Sequence, residues 1–279
     1  MSHSRAFAHA LVASLLLSAC GSHAVTATLG PGDDVGYTDA TDVVVAGSKT
    51  WIVTGDLDGC VQLGDQCVDI ATVKTQSCGS PDAQADIVVI DGKVAKVVCY
   101  PPAASGVSID KVGTASGGTT SVPQNKNNSV ITFGPETDGK PIDGNVRLDA
   151  ENVSLIGNGI DKTVIGGNLT LNSNNFHVRG LTVMGNLVLE KNCNGATVAF
   201  VKVKGNLTVA ANNVTLINTV VFGNLEVTGN SITLINVGVQ GNTALESPAL
   251  LCDSNYAFQD QNANLLCDPA EKGAAFSCK

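Results

Sequence analysis

With 279 residues and 43% hydrophobic content, the chain can build one large or two small cores, and this excludes a disordered protein. Its 16 Lys and Arg stand against 25 Asp and Glu, an acidic balance unsuited to tracking a phosphate backbone, so nucleic acid is not an expected partner. Aromatic residues make up only 4%, and Trp51 is the single tryptophan, which leaves little material for platforms that stack sugars or bases.

Residues 1–19 read as an export signal: Arg5, then the apolar run Ala6 to Leu17 broken by His9, then Leu17-Ser18-Ala19. The run is shorter than the roughly 20 apolar residues a membrane helix needs, so cleavage is expected rather than retention. Leu17-Ser18-Ala19-Cys20 resembles the lipobox of bacterial lipoproteins. The resemblance implies that Cys20 is lipidated and becomes the first residue, with more than one acyl chain holding the protein stably on a membrane. Gly21 stands where an inner-membrane retention signal has Asp, so the resemblance implies the outer membrane of the cell envelope. Residues 20–41 are small and polar and suit a tether.

Residues 42–100 contain the short β runs Val43-Val44-Val45, Trp51-Ile52-Val53, Ile87-Val88-Val89-Ile90 and Val94 to Val98, with the hairpin signal Asp91-Gly92 between the last two. Four cysteines, Cys60, Cys67, Cys78 and Cys99, fall here, so a small disulfide-stapled β module is expected. The remaining four, Cys193, Cys252, Cys267 and Cys278, are expected to pair among themselves, with one tail cysteine latching to Cys193; the alternative is a free, buried Cys193. Residues 101–128 are rich in Pro, Ser, Gly, Thr and Asn and read as a linker, or as a cap for the repetitive segment that begins at 129.

In residues 129–245, Gly-Asn recurs at 144, 167, 185, 205, 223 and 241, at intervals of 23, 18, 20, 18 and 18. Three alternating apolar pairs fill each 18-residue period: Leu169 and Leu171, Phe176 and Val178, Leu181 and Val183 in one, Leu225 and Val227, Ile232 and Leu234, Val237 and Val239 in another. A period of two is a strand signal, and three such strands in 18 residues leave no room for hairpin turns. Coiling the chain pairs each strand with its equivalent one turn on, about 4.8 Å along the axis, and stacks the pairs into one core. The expected fold class is therefore all-β: a short parallel β-helix of about six coils behind a disulfide-rich β module.

Val153-Ser154-Leu155-Ile156-Gly157-Asn158-Gly159 followed by Thr163-Val164-Ile165-Gly166 resembles right-handed parallel β-helices of the pectin-lyase-like class, a likeness specific for fold and weak for activity. Strand starts spaced seven, five and six apart do not suit the left-handed hexapeptide helix. Bactofilin-like polymers have similarly short coils, but an export signal argues against a cytoskeletal role.

The Asn after each marker glycine forms one row, Asn145 to Asn242, and Asn174, Asn192, Asn212 and Asn230 a second, with Glu151 in the first coil; amide bonding at tight corners is their expected use, and a repetitive polar face for glycans or ice the alternative. Enzymes of the resembled fold need a row of ionisable residues, and a face gathering two carboxylates beside an Arg or Lys would mark one. The outward positions Arg147, Thr170, Val188, Thr208, Glu226 and Ala244, and Ser154, His177, Thr197, Thr215 and Thr233, hold no such pair. No catalytic residue is assigned. His177 and Arg179 form the only adjacent His and Arg, a candidate glycan contact.

The tail, 246–279, reads as a Cys-rich cap. Within it Asp260, Asn262, Asn264, Asp268 and Glu271, with the Leu266 carbonyl, resemble an EF-hand-type loop, and imply calcium as the only cofactor. Leu265 stands where such loops have Gly, and Pro269 falls late. The whole chain reads as a non-enzymatic envelope lipoprotein that offers a rigid scaffold for surface binding, adhesion or assembly, its partner a polysaccharide or another surface protein. The alternative is a carbohydrate-active protein, a polysaccharide lyase-like enzyme or a glycan binder.

Overall fold

The computed structural model describes residues 43–47, 49–53, 60–63, 66–102, 105–134, 140–261, 271–276 and 278. The N-terminal module contains β1 (Val43–Gly47), β2 (Thr50–Val53), β3 (Cys60–Leu63), β4 (Gln66–Asp69), α1 (Ile70–Cys78), β5 (Gln84–Ile90) and β6 (Lys93–Tyr100). Its antiparallel sheet runs β1-β2-β5-β6, and β3 and β4 form a separate hairpin. Helix α1 goes beyond the all-strand expectation for this segment. It is set by its ends: Asp69 accepts from the Thr72 amide, and Gly79, left-handed at φ 79°, closes it. A disulfide joins Cys78 at its last turn to Cys99 of β6, as expected for pairing within the module, and Cys67 is also disulfide-bonded.

β5 is apolar on both sides for a reason. Ala85, Ile87 and Val89 pack with Val53, Val61, Leu63, Val68 and Ile70 in the module's own core, while Val88 faces the β-helix with Ile52. A continuous apolar run is what a strand buried on both faces requires.

From Val107 to Asp253 the chain winds as a parallel β-helix, and each coil has three faces. Leu169–Leu171, Leu187–Leu189, Leu207–Val209 and Leu225–Val227 stack in register as the first face, part of an eight-stranded sheet. The second and third faces share one long strand per coil, as in His177–Val183, Thr197–Val203, Thr215–Val221 and Thr233–Val239. Each long strand bends at a left-handed residue, Gly180, Phe200, Asn218 or Asn236, with φ of 65°, 54°, 45° and 52°. The inward pairs of the coils are buried from Val146 to Val239 in one continuous core, apolar but for positions such as Thr219, which stacks between Val201 and Val237. The coil also extends past the repeat. Val107–Ser108 and Thr119–Val122 pair in parallel with Val130–Thr132 and Asn145–Leu148, so part of the expected linker is a first coil; Leu251–Asp253 adds a strand at the other end.

The marker Gly-Asn pairs hold the spacing of the coils. Asn Oδ1 of one coil accepts the backbone N–H of the next coil's Asn at 2.7–2.8 Å, through Asn145, Asn168, Asn186, Asn206, Asn224 and Asn242 without a break. Among the marker glycines only Gly144 is left-handed. The others are required by closeness: a Cβ on Gly205 would lie 2.7 Å from the Gly185 carbonyl oxygen and 2.5 Å from Asn186 Oδ1. Gly205→Ala is therefore expected to lower stability by about 1–3 kcal/mol, as overpacking does, read as a lowered urea midpoint. The second Asn row runs through Asn174, Asn194, Asn212 and Asn230 rather than Asn192, because two extra residues at this corner shift the register.

Candidate functional site

The three faces differ in what covers them. Against the second face lies the module's sheet, with Ile52 and Val88 on Ala199, Phe200, Ile217 and Ile235, joined by Ile90, Val98 and Leu251. Over the third face folds the insertion that lengthens the first interval: Thr182 Oγ1 donates to the Ile160 carbonyl at 2.6 Å, and the buried Lys202 pairs with Asp161 at 3.5 Å. Further along, Tyr256 and Phe258 of the tail pack on Val220 and Phe222. Gly238 has no side chain because the Tyr256 ring lies where its Cβ would be, 2.7 Å away. Beside Phe222, burial and the neighbouring Lys202 charge draw Lys204 down to about 8.

Among the described residues, no segment covers the first face. Thr170, Val188 and Thr208 are half-buried, and Glu226 and Ala244 exposed. Arg147, at its N-terminal end, gathers two carboxylates: its Nε donates to Asp149 Oδ1 at 2.9 Å, and its Nη1 to Glu190 Oε1 at 3.1 Å. Asn172, between them in the stack, donates from Nδ2 to Asp149 Oδ1 at 2.9 Å. All three charged side chains are roughly one third exposed, so the cluster is a surface feature. The two outward rows named from the sequence contain no such pair. The carboxylates lie in the next column, five residues past each marker glycine: Asp149, Asn172, Glu190, Ala210, Thr228 and Glu246. Reading that column against Arg147 would have found them.

His177, a candidate glycan contact from the sequence, is buried, and Arg179 keeps only 20% of its side chain exposed. They point outward from the second face, but that face lies beneath the module, and both are held there. Arg179 donates to the fully buried Asp86 through Nη2 at 3.0 Å and Nε at 3.3 Å, and its guanidinium lies 4.9 Å from the Tyr100 ring and 4.7 Å from the Phe200 ring. His177 packs edge-on to Tyr100 with centroids 4.9 Å apart. Burial, reinforced by the Arg179 charge, draws the imidazole down to about 3.

Nor does Cys193 latch the tail. It is a free, buried thiol, and Cys252 pairs with Cys278 instead. The register explains why: from the strand after Cys193 to Cys252, the steps Val198 to Leu216, Leu234 and Cys252 are three coils, or about 14 Å at the strand spacing. A disulfide needs Cα atoms within about 7 Å. Cys193 serves as a small residue of the same core as Ala150 and Ala211, its thiol pushed up to about 12 by burial and by the Glu190 charge.

Of the expected calcium ligands, Asp260 and Glu271 are described, and Glu271 Oε1 accepts the Gln261 amide at 2.8 Å. Asn262, Asn264, Leu266 and Asp268 lie outside the described residues, as do Cys20 and Cys267 and the side chain of Cys60.

These features define a parallel β-helix protein in which, among the described residues, one face is uncovered. No family model, curated protein or solved structure matches the chain.

Proposed function

We propose that the protein is a lipid-anchored component of the cell envelope, held through Cys20, whose β-helix is a rigid, non-enzymatic scaffold that presents its first face for binding, adhesion or assembly. One observation carries this reading: among the described residues the module, the insertion and the tail cover two faces, and the third presents columns of Asn, Thr and carboxylates. A stiff sheet with preset side-chain spacing suits an extended partner, because little ordering is needed on binding. An envelope polysaccharide or a surface protein fits that description.

Two lysines on the first face, in Thr170→Lys/Thr208→Lys, are expected to abolish retention of the full chain on purified envelope polysaccharide and on cells lacking the protein, with the thermal midpoint kept. Cys20→Ala is expected to move the protein to the soluble fraction. Retention unchanged by the double substitution would overturn the first face as the binding surface.

A second reading, a carbohydrate-active protein, is favoured by Arg147 between Asp149 and Glu190, since this cluster meets the mark set from the sequence for an enzyme, a face that gathers two carboxylates beside an Arg. It requires that the wild type release fragments from a polysaccharide and that Glu190→Gln stop it. That result would replace the non-enzymatic reading.

A further inference from the structure

The contact between the module and the second face is apolar in the middle and polar at its ends. Thr50 Oγ1 donates to Asp253 Oδ2 at 3.0 Å at one end, and the Asp86–Arg179 pair closes the other. His177 stands beside that pair. It is buried, and neither Nδ1 nor Nε2 has a hydrogen-bond partner. The groups that face it are Arg179 on its own strand, Asp86 of β5, Tyr100 of β6, and the uncharged Ser154 and Thr197 on the coils to either side.

We propose that this contact is an acid-released latch, in which protonation of His177 detaches the N-terminal module from the second face and uncovers the apolar row Ala199, Ile217 and Ile235.

An imidazolium carries two N–H donors, and neither ring nitrogen has a hydrogen-bond partner here, the Asp86 carboxylate being taken by Arg179, which itself adds a like charge. Detachment gives the ring access to water, so acid favours the detached form. Linkage sets the sign: the attached form holds His177 at about 3 against an ordinary 6.5, so it binds fewer protons between those values. Attachment is complete above about pH 6.5 and weakens as pH falls toward 3. Asp86 acts in the opposite sense. Burial raises its carboxyl above the usual range against the pull of Arg179, so its protonation offsets part of the loss at the acid end. The β-helix stays intact throughout, since its ladders and core lie within the coil.

The test is the distance between spin labels on the full chain at Lys93→Cys, exposed on the module, and Thr208→Cys on the first face, tracked from about pH 7.5 to about pH 4. A single narrow distance at neutral pH should broaden and lengthen in acid while the far-ultraviolet spectrum is retained. His177→Phe keeps an aromatic ring against Tyr100 and cannot be protonated, and should move the opening down by about one pH unit or more; His177→Gln gives the same readout should the Phe variant not fold. A distance unchanged to the acid limit in the wild type, an opening pH in the His177 variants equal to that of the wild type, or loss of β structure together with the distance would each overturn the latch. Binding on the first face is measured separately, so failure here leaves that reading standing.

Discussion

Asp86→Ala should lower the unfolding free energy by about 3–5 kcal/mol, as breaking a buried ion pair from one side does. The cost is not the worth of the pair. Alanine removes the acceptor from Arg179 while its guanidinium stays between Tyr100 and Phe200 with only 20% of the side chain exposed, a cation with reduced hydration. The control is Asp86→Leu/Arg179→Met, which removes both charges and keeps the volume. It should recover most of the loss, because the pair's attraction and its desolvation nearly cancel. Urea unfolding monitored at Trp51, packed against the module's core, reads both variants. A loss below about 1 kcal/mol for Asp86→Ala, the range of exposed pairs, would mean the interface is wet in solution.

Leu207→Ala should cost about 2–5 kcal/mol. Leu207 is fully buried in the middle of the first-face stack, in register with Leu187 before it and Leu225 after it. Coils above and below fix the spacing through the Asn ladder, so the cavity cannot collapse by sliding one turn. Leu245 belongs to the last first-face strand and is only half-buried, so Leu245→Ala should cost less than half as much. Equal losses at the two sites, by urea midpoint, would contradict a stacked core with a looser end.

The coil was legible because its signal is redundant. Gly-Asn marks one corner of every period, and the three apolar pairs repeat in phase, so each coil confirms the next. The ladder through Asn145 to Asn242 turned those markers from a corner motif into a spacing device, with glycine chosen for closeness rather than for left-handed backbone. What covers each face was harder to read, because it is decided by contacts far apart in sequence. Arg179 and Asp86 are 93 residues apart, and nothing local to His177 and Arg179 distinguishes a covered face from an open one. A hint existed in Leu216-Ile217 and Leu234-Ile235, where the outward position is as apolar as the inward one, and in the unbroken run of Ile87 to Ile90 that meets them. The pairing of Cys252 with Cys278 likewise depends on coil count, which spacing along the chain does not express. Arg147, Asp149 and Glu190 were missed for a simpler reason: they converge only when positions three and five past the marker glycine are read together across three coils.

Two covered faces and one that no described residue covers are the centre of this architecture. Its most direct test is the labelling rate of single cysteines with a bulky maleimide on the full chain at neutral pH. Thr208→Cys on the first face should react rapidly, and Ile217→Cys on the second and Val220→Cys on the third at least tenfold more slowly, about the ratio that 1.4 kcal/mol of local opening imposes. Equal rates at Thr208→Cys and Ile217→Cys, in a chain that keeps its β structure, would contradict that division of the faces.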